Sequence, residues 1–296
     1  MKLFGLGKKM NPIHLQEEMT GDNVEKVRIT ASSADIQVTP ATGDAVEVLL
    51  EGEISEGLEE NLEFEVQQNN NMLLINVDLN MGFQFGMYST NLTLNVNLPS
   101  KVYSDLYVKS SSGDIIVKNI AADAYSGTSS SGNQLLTGLD VLERMILKAS
   151  SGNMLLKNNR AGSLIGSISS GRIDVRDYTS NKVKLDASSG GISIHNEILE
   201  GTTECSVSSG NIHINSGEFT GNLDLRATSG NVDVYSKKFP DDLHIDCQNQ
   251  SGNRSINVKG LTISENSKNR LTGLMGESDV NTIKVKTTSG NVVVSG

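Results

Sequence analysis

Residues 208–214 read Ser208-Ser209-Gly210-Asn211-Ile212-His213-Ile214, and near-copies of this stretch recur through the last two-thirds of the chain. A Ser-Gly step opens each copy, and successive glycines are separated by 19, 20, 19, 19, 20, 20, 22 and 38 residues. A fixed period near twenty residues indicates a repeat architecture. Since the last interval is close to two periods, we expect it to hold one coil that has lost its Ser-Gly step. The glycines are Gly113, Gly132, Gly152, Gly171, Gly190, Gly210, Gly230, Gly252 and Gly290.

The apolar residues follow the same period. They lie two and four residues after most of the glycines, as at Ile212 and Ile214, and five and seven residues before most of them, as at Leu225 and Leu223. Alternation with period two predicts strands that bury one face. One coil cannot bury its own apolar face, so we predict coils that stack on one another. A third apolar position falls nine residues after the glycine, at Val141, Ala161, Leu199, Phe219, Phe239 and Leu261.

The corner of each coil is the Ser-Gly step and the residue that follows it. Glycine and asparagine tolerate positive φ, so this step bends the chain between two strands. Stacked corners bring like residues about 4.8 Å apart, and we expect asparagine side chains to form hydrogen-bonded ladders there. Six of the nine copies supply the asparagine, at Asn133, Asn153, Asn211, Asn231, Asn253 and Asn291.

These patterns predict an all-β, single-domain parallel β-helix (β-solenoid) with about 19–20 residues per turn. We expect it to span residues 26–296, because Val27, Ile29 and Ala31 already show the core spacing ahead of Ala34 in the glycine slot. Residues 1–25 do not repeat and are predicted to form an N-terminal cap or anchor. Their first ten residues mix apolar and lysine side chains, which suits a short basic membrane anchor or a cap over the first coil.

The composition limits the classes of partner and compartment. A net charge of −10 argues against a nucleic-acid-binding surface, which needs clustered Lys and Arg. No apolar run approaches the roughly 20 residues of a membrane span, and the start lacks the apolar region of a secretory signal. We therefore expect a cytoplasmic protein, peripheral at the membrane if residues 1–25 anchor it. Delivery to the cell surface by a route without a signal is the alternative.

Two surface features are candidate contact sites. The first is an apolar patch that suits a partner or a second copy, although the same segment could fold down as a lid over the N-terminal end of the core. Its residues are Met81, Phe83, Phe85, Met87 and Tyr88. The second is a mildly basic stripe five residues after successive glycines, which could hold an anionic surface polymer or phospholipid head groups. Its residues are Lys118, Lys157, Arg176 and His195. Ordinary solvated charge is the alternative interpretation of the stripe.

The sequence predicts no metal, cofactor or catalytic residue. His195 and His213 fall on adjacent coils near Asp174 and Asp233, but zinc needs three or four ligands in tight geometry and a sheet face offers only a shallow site.

Two cysteines occupy predicted core positions. In a stack that follows the chain, Cys205 and Cys247 would lie two coils, about 9.6 Å, apart, which is too far for a disulfide. We expect buried free thiols.

Three of the repeats resemble a known family. Residues 228–234 (Thr-Ser-Gly-Asn-Val-Asp-Val), 111–117 (Ser-Ser-Gly-Asp-Ile-Ile-Val) and 31–38 (Ala-Ser-Ser-Ala-Asp-Ile-Gln-Val) are similar to the bacterial putative-adhesin family of β-strand-repeat proteins, a domain of unknown function. The resemblance covers roughly residues 26–296. It implies a parallel β-helix, a bacterial source and, in Gram-positive members, an association with envelope-stress genes. The family offers no established catalytic residues.

The favoured function is a non-enzymatic scaffold or binding module associated with the bacterial envelope, with an envelope component or the membrane surface as partner. A self-assembling cytoskeleton-like polymer, resembling bactofilins, is one alternative. A carbohydrate-active β-helix enzyme is another, although it would need paired acids on one face. The chain ends two residues after Val294, so we expect the last coil to expose unpaired strand edges. A homo-oligomer formed through the solenoid ends follows from that expectation.

Overall fold

The structure, a computed structural model, describes residues 9–80, 88–277 and 280–296. These residues form an all-β fold, with one 3₁₀ turn at Glu59–Asn61. The strands are β1 (Met10–Thr20), β2 (Lys26–Ala31), β3 (Asp35–Pro40), β4 (Ala45–Ser55), β5 (Leu62–Asn69), β6 (Met72–Leu79), β7 (Thr90–Leu98), β8 (Val102–Ser110), β9 (Ile115–Lys118), β10 (Ala121–Ser129), β11 (Gln134–Thr137), β12 (Asp140–Ser151), β13 (Met154–Lys157), β14 (Arg160–Arg176), β15 (Lys182–Leu199), β16 (Thr202–Ser209), β17 (Ile212–Phe219), β18 (Asn222–Ser229), β19 (Val232–Lys238), β20 (Leu243–Ser251), β21 (Arg254–Asn257), β22 (Thr262–Asn266), β23 (Arg270–Met275), β24 (Asn281–Ser289) and β25 (Val292–Ser295).

Successive coils pair in parallel and in register. The strands before each glycine form a first sheet, β8-β10-β12-β14-β15-β16-β18, and those after it form a second sheet, β9-β11-β13-β14-β15-β17-β19. Both β14 and β15 run through the corner into both sheets. Ile194 pairs with Ile214, which pairs with Val234, and all three are buried. The predicted vertical register of the core is therefore confirmed.

The corner requires glycine because the backbones of adjacent coils are in direct contact there. Gly210 has φ of +143°, and a Cβ added to it would lie 1.5 Å from the carbonyl oxygen of Gly190. The same contact recurs one coil later, where a Cβ on Gly230 would lie 1.7 Å from the Gly210 carbonyl oxygen. A side chain at either position would both adopt a strained φ and collide with the neighbouring backbone.

The last coil of the chain is not the last coil of the stack. Strands β24 and β25 lie between β18–β19 and β20–β21, so the Gly290 coil is inserted between the Gly230 and Gly252 coils. A Cβ on Gly290 would meet the Gly230 carbonyl oxygen, and one on Gly252 would meet the Gly290 carbonyl oxygen. The expectation of a stack that follows chain order to its end is wrong.

The 38-residue interval holds a hairpin rather than a coil without its signature. Strand β23 runs antiparallel to β20, and β22 runs antiparallel to β23. The physical reason lies in the Gly252 coil, which carries Arg254 where most other coils carry an apolar residue and only half-buries Ile256. The Gly290 coil buries Val292 and Val294 completely and therefore takes the inner place.

The N-terminal end has the same arrangement. Strands β2 and β3 lie between β6–β7 and β8–β9, and antiparallel strands β5, β4 and β1 continue the two sheets beyond them. The last coil of the chain, which we expected to form an exposed end, is therefore covered, because β20 and β21 pair with it on its outer side and β23 pairs with β20.

The inserted coil also changes the separation of the cysteines. Cys205 pairs with Leu225, Leu225 with Val285, and Val285 with Cys247, so the cysteines lie three coils apart and not two. Both are free and buried, as expected. Burial raises the pKa of the Cys247 thiol to about 12 and also raises that of Cys205, which makes both thiols unreactive packing groups.

Candidate functional site

An asparagine ladder runs up the corner beside the glycines. At most coils, the side-chain Oδ1 of the residue after the glycine accepts the backbone N–H of its counterpart on the next coil, at 2.7–3.0 Å. The donor and acceptor pairs are Asn133 to Asp114, Asn153 to Asn133, Arg172 to Asn153, Asn231 to Asn211, Asn291 to Asn231, and Asn253 to Asn291. The predicted ladder is therefore present, with the inserted coil in its observed place.

The ladder is interrupted at two adjacent coils. Arg172 and Gly191 occupy the position after the glycine, and neither side chain can accept a hydrogen bond. There the backbone itself continues the pairing, since Gly171 pairs with Gly190 and Arg172 with Gly191 within the long strands β14 and β15. The corner thus keeps its stacking while losing the side-chain oxygens that line it elsewhere.

A groove of about 1050 Å³ lies on the outer face at this interruption. The coil at the centre of the groove carries the small residues Gly191 and Ser193. The neighbouring coils carry larger residues, which form the walls of the groove. The polar and charged side chains of the walls include Arg172, Asp174, His195, Asn211, His213 and Asp233. The groove extends over five coils, from that of Asn153 to that of Asp233.

The charges in the groove are partly compensated. Arg176 donates two hydrogen bonds to Asp174, at 2.9 Å from Nε and 2.6 Å from Nη2. The hydrogen bond from Arg176 lowers the pKa of Asp174, with further lowering by the charges of Arg176, His195 and Arg172, against a smaller opposing effect of burial. Asp174 therefore stays ionised and tied to Arg176, which leaves Arg172 as the exposed cation at the groove.

Two imidazoles and a hydroxyl line the middle of the groove. The rings of His195 and His213 lie 5.5 Å apart between centroids, tilted by 48°. The Ser193 hydroxyl is 3.3 Å from Nδ1 of His195. His213 pairs in register with Asp233 on the next coil. The described part of the chain contains no cluster of three or more His, Cys, Asp or Glu that could hold a metal ion.

The basic stripe of the sequence forms one column. Lys118 pairs with Thr137, Thr137 with Lys157, Lys157 with Arg176, and Arg176 with His195. The column leads into the groove, because His195 belongs both to the column and to the lining of the groove. Its role in binding stays a prediction, and the salt link to Asp174 reduces the net charge that Arg176 adds.

The predicted apolar contact patch lies largely outside the described residues, which exclude Met81, Phe83, Phe85 and Met87. Tyr88, its last member, is half-buried and packs against the core. The first eight residues of the predicted anchor also lie outside the described ranges, while β1 runs antiparallel to β4 at the end of the second sheet. In the ranges that the structure covers, no helix has the length and hydropathy of a membrane span.

Sequence reasoning missed the two residues that create the groove. Arg172 and Gly191 are the places where adjacent copies depart from asparagine after the glycine. The signal was present in the alignment of the copies. What the sequence alone could not show is that both departures fall on one continuous surface with His195, His213 and Asp233.

A solved structure of low sequence identity shares this fold. A protein named putative lipid binding protein from Parabacteroides distasonis ATCC 8503 is 16% identical, with 95% of this chain and 96% of that chain covered and a TM-score of 0.55. A putative adhesin from the same organism is 13% identical (74% and 94% covered, TM-score 0.43), as is one from Parabacteroides merdae ATCC 43184 (72% and 92%, TM-score 0.41). No curated protein matches the chain.

The family match covers the stacked coils almost completely. Toastrack DUF4097 matches residues 24–295, which include strands β2 to β25 but not β1. The family inferred from the Ser-Gly repeats is thereby confirmed, and the chain belongs to the Toastrack DUF4097 family.

Proposed function

We propose that this protein is a non-enzymatic binding module of the envelope-associated putative-adhesin type, built as a parallel β-helix, which holds an anionic polymer along its second sheet. The observation that carries the proposal is the column of Lys118, Lys157, Arg176 and His195, which is continuous in register and opens into the groove. Within four rungs spaced by about 4.8 Å, the column presents Lys118, Lys157 and Arg176, which suits a ligand with repeated negative charges.

The geometry disfavours a glycoside hydrolase. Asp174 pairs with Ser193, Ser193 with His213, and His213 with Asp233, so the two carboxylates of the groove lie three rungs apart. At about 4.8 Å per rung the separation is about 14 Å, beyond the roughly 5–9.5 Å of paired catalytic acids. The lowered pKa of Asp174 is also opposite to what a general acid needs.

The cellular setting belongs to the same proposal. An anionic partner of this kind is available at the bacterial envelope, either as a surface polymer or as phospholipid head groups. A structural neighbour carries the name putative lipid binding protein, and vesicles therefore belong in the test beside soluble polymers. Two locations would give access to such a partner. The protein would be either peripheral at the cytoplasmic face of the membrane or exposed at the cell surface.

A matched pair of double variants tests the proposal. The first double variant, Lys118→Gln with Lys157→Gln, removes two cations of the second sheet. The control, Lys109→Gln with Lys148→Gln, removes two cations of the first sheet. The spacing is the same, because Thr128 lies between the control lysines as Thr137 lies between Lys118 and Lys157. We expect the first double variant to weaken retention on an acidic polysaccharide by about fivefold at physiological salt, because each exposed pair contributes only a fraction of a kcal/mol.

The control pair should bind like the unaltered protein, on immobilised polysaccharide and on vesicles containing anionic phospholipid. Equal losses in the two double variants would show a diffuse charge effect and contradict the stripe as the binding surface. Retention that both variants leave unchanged would contradict it as well.

A further inference from the structure

We infer that the groove is a specific site for the carboxylate of an acidic saccharide, and that a carboxylate oxygen of this ligand takes the place of the side-chain oxygen that the asparagine ladder lacks at residue 191. The inference deepens the proposed function and rests on it, because it names the group that the anionic polymer would place in the groove.

The ladder itself shows which chemistry fits. At intact coils a side-chain oxygen accepts a backbone N–H, as when Asn133 Oδ1 accepts the Asn153 N–H at 2.9 Å. At two coils the acceptor is a carboxylate, since Asp35 Oδ1 accepts the Asp114 N–H at 2.8 Å and Asp114 Oδ1 accepts the Asn133 N–H at 2.7 Å. The position next to each corner therefore accommodates a carboxylate oxygen with no change in the backbone.

The coil of Gly191 leaves that position open. The Asn211 N–H is equivalent to the N–H groups that donate along the ladder, but Gly191 has no side chain to accept from it. A Cβ added to Gly191 would meet only the Asn211 carbonyl oxygen, at 3.3 Å. The space that an asparagine or aspartate side chain fills at other coils is thus open to a ligand here.

Cationic and polar groups surround the open position. Arg172 lies directly above Gly191 in register, and its guanidinium can donate two parallel hydrogen bonds to a carboxylate. Two further charged groups face the open position at Gly191. Arg176 is held by Asp174, and Asp233 lies beside His213. The arrangement offers donors to a carboxylate and, through Asp233, an acceptor for a neighbouring hydroxyl.

The remaining lining suits a sugar ring better than a bare phosphate. Two imidazoles, those of His195 and His213, lie side by side in the groove, with ring centroids 5.5 Å apart. Flat rings pack against the apolar faces of sugars, while Ser193 can donate to and accept from hydroxyls. Five coils at about 4.8 Å spacing give a length of about 19 Å, enough for a short oligosaccharide.

The test uses a variant that repairs the ladder. Gly191→Asn introduces the residue that most coils carry and supplies the missing oxygen to the Asn211 N–H, so it fills the site while preserving the fold. The matched control is Gly43→Asn, at an exposed glycine with no atom within 4 Å of an added Cβ. Binding of a tetramer of glucuronic acid, and of a neutral glucose tetramer, is measured by calorimetry for each protein, with thermal unfolding as a check on folding.

We expect the unaltered protein and Gly43→Asn to bind the acidic tetramer and not the neutral one. Gly191→Asn should lose at least about tenfold in affinity for the acidic tetramer, since a ligand oxygen and the new side chain compete for one position. Arg172→Asn should lose a similar factor while folding normally.

The outcomes separate this site from the stripe. Loss of tetramer binding in Gly191→Asn, with long acidic polysaccharide still retained through Lys118 and Lys157, supports the inference. Undiminished tetramer binding in Gly191→Asn would overturn the groove as the site while leaving the proposed function standing. Binding of a glycerol phosphate oligomer in preference to the uronate would overturn the assignment of a carboxylate, and failure of every anionic polymer to bind would overturn the proposed function itself.

Discussion

At the scale of the residue, the glycine of each corner is fixed by a backbone contact that repeats from coil to coil. The sequence predicted glycine from the need for a turn, and that part is confirmed by the positive φ of Gly210. It could not show that the carbonyl oxygen of Gly190 occupies the space of the missing Cβ, because this contact joins residues twenty positions apart. Two independent constraints therefore act at one residue.

Replacing Gly210 by alanine should destabilise the protein strongly. The new Cβ would lie 1.5 Å from backbone at a φ of +143°, so the two coils must separate locally, at a cost of about 3 kcal/mol or more. Urea unfolding of Gly210→Ala and Gly43→Ala measures the difference, and the second variant should change the free energy of unfolding by less than about 0.5 kcal/mol. Similar values for the two variants would show that the corner is not a close backbone contact.

The groove illustrates the limit of sequence reasoning at the same scale. Asp174, His195, His213 and Asp233 were recognised as near neighbours because the repeat period places them on adjacent coils. The sequence predicted no metal site at these residues, and it could not show that the interruption of the ladder lies beside them on one surface. An irregular position in a regular repeat is informative only after the regular contact is known, and here that contact is a side-chain to backbone hydrogen bond.

At the scale of the element, strands and their inward faces follow from period-two alternation, whereas the order of coils does not. Every coil presents the same pattern to its neighbours, so many stacking orders satisfy it equally well. The Gly290 coil takes the inner place because its core positions are more apolar than those of the Gly252 coil. Its core positions hold Val292 and Val294, while the equivalent positions of the Gly252 coil hold Arg254 and Ile256.

Engineered cysteine pairs test the coil order. Arg226 and Lys286 are paired in register on the first sheet, and both are exposed, whereas Gln248 pairs with Lys286 on its other side. We expect Arg226→Cys with Lys286→Cys to form a disulfide under mild oxidation, because paired Cα atoms on adjacent strands lie within bridging range. The native Cys205 and Cys247 are buried and free and should not interfere.

The alternative pair is Arg226→Cys with Gln248→Cys, which would be adjacent if the coils stacked in chain order. In the observed order these positions are two rungs, about 9.6 Å, apart and should not be joined. A disulfide in this pair, detected as a mobility shift without reducing agent, would show that the last coil is not inserted.

At the scale of the whole molecule, the two ends share one design in which the terminal coil is enclosed by an adjoining antiparallel segment. The sequence predicted stacked coils but placed the last coil of the chain at the end of the stack, because a linear repeat suggests a linear stack. A homo-oligomer through solenoid ends stays a prediction.

The net charge of −10 also means that an anionic ligand must be bound through short-range contacts, since charges beyond about 8 Å are screened at physiological salt.

The most direct measurement of the central claim is the backbone amide resonance of Asn211 during titration with the glucuronic acid tetramer. The account predicts a large, saturable shift at Asn211, whose N–H gains an acceptor, and a small shift at Asn153, whose N–H already donates to Asn133 within the same groove. Saturable binding of the tetramer that leaves the Asn211 amide unshifted, or shifts Asn153 to the same extent, would contradict the account.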